Sequence, residues 1–115
     1  SVQTDPDFVV PRYLAAQDTH MMPGSYFVDP PEGSVRQGAV FDKAASLYSL
    51  GRQGGQMNDM RGNTVVAHVF ERFPDLQPQR ILEMGCTVGN SLVAVARAFP
   101  QAEVHGLDVG AGLLQ

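Results

Sequence analysis

The sequence predicts an incomplete α/β fold, in which a helical N-terminal segment precedes the first βαβ unit of a parallel sheet. Residues 80–84 are a short strand-like run that ends in a glycine turn, and residues 103–108 are a second such run. Between them, residues 90–99 carry apolar side chains at i, i+3, i+4 and i+7, the spacing of one helix face. These apolar positions are Leu92, Val95, Ala96 and Phe99. Strand, helix and strand in this order are typical of a parallel crossover.

Two more helices are predicted ahead of this unit, over residues 39–50 and 60–73. The first has one apolar face, made of Phe41, Ala44, Ala45 and Tyr48. Asp42 falls in its predicted first turn, where the helix dipole favours a negative charge, and Gly51 is its predicted stop. Residues 1–37 hold five of the eight prolines, so we expect an irregular extension there.

Composition limits the partners that we expect. The net charge is −4 and no run of lysines or arginines occurs, whereas a phosphate backbone requires a basic surface. No apolar run approaches the ~20 residues that cross a bilayer. We therefore expect neither nucleic acid nor membrane as a partner. The single cysteine, Cys86, has no internal disulfide partner and fits a reducing, cytoplasmic location.

The glycine turn between residues 85 and 89 carries the chemistry. A glycine turn between a strand and a helix brings backbone N–H groups and the positive helix end towards a polar or anionic ligand. The dinucleotide fingerprint G-x-G-x-x-G fails at Thr87 and Asn90, where glycines are required. No lysine follows the glycines, so the triphosphate-binding loop is absent too. An oxidoreductase with a nicotinamide cofactor is therefore a disfavoured alternative.

The run from Ile81 to Gly89 resembles the first motif of class I S-adenosylmethionine-dependent methyltransferases, small-molecule type. That motif is an acidic residue, one further residue and G-x-G-x-G after an apolar strand. Glu83, Gly85 and Gly89 match it, and Thr87 departs from it at the middle glycine. The resemblance implies a Rossmann-like methyltransferase fold and S-adenosylmethionine as the cofactor. It covers about residues 79–115, with residues 38–78 as a helical segment before it.

The resemblance also implies roles for particular residues. Asp108, at the end of the second strand, would bind the ribose hydroxyls, and Glu83 would help to hold the methionine end. The expected cofactor-binding residues are Glu83, Gly85, Cys86, Thr87, Gly89, Asp108 and Val109. A looser likeness in the N-terminal extension makes His20 and Tyr26 candidate substrate residues. No catalytic residue is identified, and the histidines lack metal-ligand spacing, so no metal is expected. Asp108 as a simple helix cap stays an alternative.

The family resemblance predicts methyl transfer to a small-molecule acceptor. The chain stops where a helix should follow the second strand, so we expect a truncated first βαβ unit, inactive alone. A non-catalytic cofactor-binding or association module is the alternative. A short parallel sheet with an exposed edge also predicts pairing between copies, hence a homodimer.

Overall fold

A computed structural model describes residues 1–12, 34–52, 54 and 57–114. In chain order its elements are helix α1 (Arg36–Tyr48), helix α2 (Met60–Arg72), strand β1 (Arg80–Met84), helix α3 (Asn90–Ala98), strand β2 (Glu103–Leu107) and a short 3-10 helix (Ala111–Leu113). Within these described ranges, every helix falls short of the length and apolar character that a bilayer span requires.

The two strands form a parallel two-stranded sheet. Arg80 is level with Glu103 at one end, and Met84 is level with Leu107 at the other. The carboxyl ends of both strands therefore meet at one edge, where ligands bind in open α/β sheets. Helices and a small parallel sheet agree with the predicted incomplete α/β fold.

The described residues cover one face of the sheet. Ile81 and Val104 are half-buried on that face, and α3 packs there against β2. Side chains alternate between the faces of a strand, so their neighbours Leu82, Met84 and Leu107 point the other way and are exposed. The sheet thus has an apolar face that no described residue covers.

Helices α2 and α3 cross at Gly62, which is buried. A Cβ built on Gly62 would lie 2.5 Å from the carbonyl oxygen of Ser91, so only glycine permits this approach. Further along, the rings of Phe70 and Phe99 pack at an interplanar angle of 54°, with centroids 5.4 Å apart. These contacts hold α2 on the helix that follows the glycine turn.

Helix α1 differs from its prediction. It begins at Arg36, three residues earlier than predicted, so Asp42 lies beyond the first turn and has no dipole role there. The predicted apolar face is wrong in part: Tyr48 is 91% exposed, whereas Gln37 and Gly38 are buried. The helix ends at Tyr48, two residues before its predicted end, and the predicted stop Gly51 follows in the turn with φ +74°, where it donates its N–H to the carbonyl of Ser46 at 2.8 Å.

Candidate functional site

The turn after β1 contains three residues with positive φ. Gly85 has φ +71° and Gly89 has φ +80°, and a Cβ on either would meet no close neighbour. Glycine is needed at both positions for the backbone conformation and not for space. Thr87 has φ +48°, a value that is strained for a β-branched residue. The position that departs from the glycine motif is therefore one at which glycine would fit better.

Most N–H groups of the turn are engaged within the protein. Gly85 and Cys86 donate to the carbonyl oxygen of Leu107 at 2.7 and 3.1 Å, and Gly89 donates to that of Cys86 at 2.8 Å. The two bonds to Leu107 hold the turn on the end of β2, and the third closes the turn on itself. Among the described residues of the turn, Val88 keeps an N–H without an acceptor. Helix α3 also begins without a side-chain cap, which leaves its first N–H groups available.

Asp108 joins the two halves of the site. Its Oδ2 accepts the N–H of Thr87 at 2.8 Å, and its Oδ1 accepts the N–H of Gly110 at 2.8 Å. The bond to Gly110 is a local turn bond, as the cap alternative requires, but the bond to Thr87 spans 21 residues. Because each carboxylate oxygen has two lone pairs, both oxygens can accept a further hydrogen bond.

The Cys86 side chain packs beneath the turn. It is 5% exposed, and a Cβ on Gly106 would lie 2.6 Å from its Sγ. Burial raises the pKa of the Cys86 thiol, and the charges of Asp108 and Glu83 raise it further. The thiol therefore stays protonated at neutral pH and is no nucleophile. Its predicted contact with a cofactor stays a prediction.

Glu83 is the second acidic group of the site. It is half-buried, and its Oε2 is buried with no hydrogen-bond partner among the described residues. Burial raises the pKa of this carboxyl. A buried carboxylate oxygen without a donor is costly, so a ligand that supplied a donor or a positive charge would stabilise it. Val109, the last of the predicted cofactor residues, is exposed beside Asp108.

A cavity of about 860 Å³ adjoins the turn. Its described lining includes Thr87, Val88, Gly89 and Asn90 from the turn, with Asp42 from α1. Neither lysine nor arginine occurs among the described lining residues. An anionic ligand group on this side would therefore be bound by backbone N–H groups of the turn and of the start of α3, and not by a lysine or arginine side chain of the described lining. Glu83 is not part of its described lining.

Sequence analysis missed the role of Asn90. In the sequence pattern Asn90 counts only as a missing glycine, yet its Nδ2 donates to Asp42 Oδ1 at 2.9 Å and to the carbonyl oxygen of Met57 at 2.8 Å. The sequence does show an asparagine at the first position of a helix that lacks a side-chain cap. It does not show which residues accept the hydrogen bonds of this amide, because they lie far away in the sequence.

The two candidate substrate residues, His20 and Tyr26, lie outside the described residues. Within the described ranges, no three His, Cys, Asp or Glu side chains form a group that could hold a metal ion.

Curated proteins similar to this chain share one name. Trans-aconitate 2-methyltransferase of Pseudomonas paraeruginosa is 45% identical over 50 residues, which are 44% of this chain and 18% of that protein. Its namesake from Methylobacterium radiotolerans is 39% identical over 49 residues, 43% of this chain and 19% of that protein. A third, from Afipia carboxidovorans, is 39% identical over 47 residues, 41% of this chain and 18% of that protein.

The matched stretch thus spans less than a fifth of the length of these relatives. No protein-family model and no solved structure matches the chain. The names of the relatives agree with the methyltransferase family that the motif residues Glu83, Gly85 and Gly89 indicate. The resemblance of this chain to class I S-adenosylmethionine-dependent methyltransferases is confirmed.

Proposed function

We propose that this chain carries the S-adenosylmethionine-binding part of a methyltransferase with a Rossmann-like fold. In this proposal, residues 79–115 are the first βαβ unit of the cofactor-binding domain, and residues 38–78 are a helical segment packed on it. The protein would transfer a methyl group to a small molecule. This chain would supply cofactor binding, and no catalytic base is proposed among its residues.

One observation carries the proposal. The Asp108 carboxylate, at the end of β2, lies within hydrogen-bond distance of Thr87 in the turn after β1. Asp108 follows one strand and the glycine turn follows its parallel neighbour. A carboxylate in this place is suited to binding a ribose, since it can accept two hydroxyl hydrogens at once. The bonds from Thr87 and Gly110 fix its orientation before a ligand arrives, which lowers the entropic cost of binding.

The described residues also fit the other end of the cofactor. The buried Oε2 of Glu83, which has no partner in the described part of the chain, would accept a hydrogen bond from the ammonium group of the amino-acid end. The N–H of Val88 and the free N–H groups that begin α3 would receive the anionic carboxylate of that end. When bound, S-adenosylmethionine supplies a methyl group on a positively charged sulfur. The residues of this chain would bind it, orient it and exclude water on one side.

The acceptor is proposed as a small molecule and not as trans-aconitate in particular. The relatives are named for trans-aconitate, which is a tricarboxylate. Recognition of three carboxylates requires cationic donors, as a rule arginine or lysine. The described lining of the cavity has neither, and residues 13–33 contain neither in the sequence. Selection of such an acceptor would need residues other than these.

Calorimetric titration tests the proposal. We expect the chain to bind S-adenosylhomocysteine, the demethylated cofactor, and not NAD. Asp108→Ala should weaken S-adenosylhomocysteine binding by about 1.5–3 kcal/mol, the usual contribution of hydrogen bonds to a charged group. Asp75→Ala is a suitable control, since Asp75 is exposed in the loop that precedes β1.

Two results would contradict the proposal. Binding of NAD without S-adenosylhomocysteine would favour the oxidoreductase alternative. Unchanged affinity of Asp108→Ala for S-adenosylhomocysteine would mean that Asp108 does not bind the ligand. Its role would then be limited to the two hydrogen bonds that it accepts from the backbone, as a structural cap. Because these bonds also stabilise the fold, the unfolding of Asp108→Ala is measured in parallel, and affinity is compared at temperatures where both proteins are folded.

A further inference from the structure

Three segments that are distant in sequence meet at Asp42. Its Oδ1 accepts hydrogen bonds from Asn58 Nδ2 at 2.7 Å and from Asn90 Nδ2 at 2.9 Å. Asn58 also donates to the backbone carbonyl of Asp42 at 3.1 Å. Asn90 in turn donates to the carbonyl oxygen of Met57 at 2.8 Å. Helix α1, the loop before α2 and the start of α3 are thereby joined.

Helix α1 also contacts both halves of the candidate site by close packing. Gly38 is buried, and a Cβ on it would lie 3.2 Å from Val88 Cγ1 in the turn and 3.7 Å from the carbonyl oxygen of Leu113 in the 3-10 helix. Leu113 is 2% exposed. Helix α1 therefore spans from the segment after β1 to the segment after β2.

We propose that Asp42 is a positioning residue for the ligand-binding turn, which it holds in place through Asn90. This inference rests on the proposed function, because it concerns the same turn. Asn90 is the first residue of α3, and Gly89 before it has φ +80° without a side-chain cap. The Asn90–Asp42 bond is thus a restraint from outside the unit on the end of the turn. Removing it lets Val88 to Ser91 move and weakens ligand binding.

Asp42 lines the cavity, and its hydrogen bonds allow positioning to be tested separately from direct contact with the ligand. Both amide donors use Oδ1, and within the described residues Oδ2 has no hydrogen-bond partner. An asparagine at this position can keep its oxygen at Oδ1 and its amide group at the site of Oδ2. Asp42→Asn therefore preserves the restraint but removes the charge, whereas Asp42→Ala removes both.

The test compares three variants of the full 115-residue chain, with S-adenosylhomocysteine as the titrated ligand. Asp42→Ala should bind it about 10-fold more weakly, a typical effect of a residue that acts through a network. Asp42→Asn should stay within about 2-fold of the unchanged chain. Asp59→Asn is the matched control, because Asp59 lies beside Asn58 but pairs with Arg97, 3.6 Å away, and not with Asn90. It should also stay within about 2-fold.

A second measurement needs no ligand. The backbone N–H groups of Gly89 and Val93 are hydrogen-bonded to the carbonyl oxygens of Cys86 and Gly89. Their hydrogen exchange should be faster in Asp42→Ala than in Asp42→Asn or Asp59→Asn. If Asp42→Ala does not fold, Asn90→Ala replaces it, since this variant removes the donor of the same bond.

Each outcome decides one of the two proposals. Equal loss of affinity in Asp42→Asn and Asp42→Ala overturns positioning, because the charge itself then acts on the ligand. Unchanged affinity in Asp42→Ala, with unchanged exchange, overturns it as well. If the chain binds no S-adenosylhomocysteine, the proposed function fails. Positioning is then decided by exchange alone: faster exchange in Asp42→Ala supports it, and equal exchange rejects it.

Discussion

Thr87 is the residue at which this turn departs from the glycine motif, and its backbone shows what the departure costs. Its φ is +48°, and its N–H is bound by Asp108. The left-handed region costs an L-residue about 1–2 kcal/mol relative to glycine. The hydrogen bond from Thr87 to Asp108 uses the backbone N–H, so it does not depend on the side chain at position 87. Threonine thus preserves the contact with Asp108 but strains the turn.

We predict that Thr87→Gly leaves the stability unchanged or raises it, by up to about 1 kcal/mol, because relief of strain exceeds the entropy that glycine adds to the unfolded chain. Urea unfolding followed by circular dichroism measures the change. Thr64→Gly is the control, since Thr64 lies within helix α2. The free energy of unfolding of Thr64→Gly should fall by about 0.5 kcal/mol, because glycine has a lower helix propensity than threonine. A loss of stability in Thr87→Gly larger than in Thr64→Gly would show that the Thr87 side chain stabilises the turn.

At the scale of elements, the crossing of α2 and α3 depends on Gly62. A Cβ there would meet Ser91 Cα and Ala94 Cβ at 2.8 Å, in addition to the Ser91 carbonyl. Backbone atoms cannot yield as a flexible side chain can, so the helices would have to separate. Because α3 begins at the glycine turn, a shift of α3 would also displace the candidate site.

We predict that Gly62→Ala destabilises the chain by about 1–3 kcal/mol, the usual cost of overpacking. Intrinsic helix propensity would favour alanine by about 1 kcal/mol, so the sign of the result tests the packing. Asn63→Ala, at the next, exposed position of α2, is the control and should be neutral or slightly stabilising. A rise in the urea midpoint of Gly62→Ala would contradict the close crossing.

The elements that sequence predicted well are those with local signals. The bounds of β1 agree with the prediction, and α3 and β2 each end one residue earlier than predicted, because turns and prolines bracket them. The start of α1 was missed because its buried residues are Gln37 and Gly38. Neither a glutamine nor a glycine adds to a predicted apolar helix face. The close packing of α1 nevertheless requires the glycine, Gly38.

At the scale of the whole molecule, sequence could predict that Asp108 and the glycine turn meet, because parallel strands bring their carboxyl ends to one edge. It could not predict the contacts of Asp42. Its partners Asn58 and Asn90 lie 16 and 48 residues further along the chain. Such contacts depend on how α1 docks, and no local pattern encodes this. Nor could it foresee that Cys86 fills the space left by Gly106.

The uneven cover of the sheet supports a last prediction. Ile81 is half-buried on the sheet face where α3 packs against β2, whereas Leu82, the next residue of β1, is 60% exposed on the opposite face. Ile81→Ala should therefore cost about 1–3 kcal/mol of unfolding free energy, less than for a fully buried site. Leu82→Ala should stay within about 0.5 kcal/mol of the unchanged chain.

The pair is matched, because both substitutions shorten a four-carbon aliphatic side chain in the same strand. Urea unfolding at two protein concentrations, with sedimentation velocity, also tests the homodimer that we propose from the exposed sheet edge. Monomeric chains should give the same midpoint at both concentrations, since only association makes stability depend on concentration. A Leu82→Ala cost that equals that of Ile81→Ala and grows with concentration would mean that a second copy covers the open face. The same cost without concentration dependence would place residues of this chain on that face and contradict a one-sided sheet.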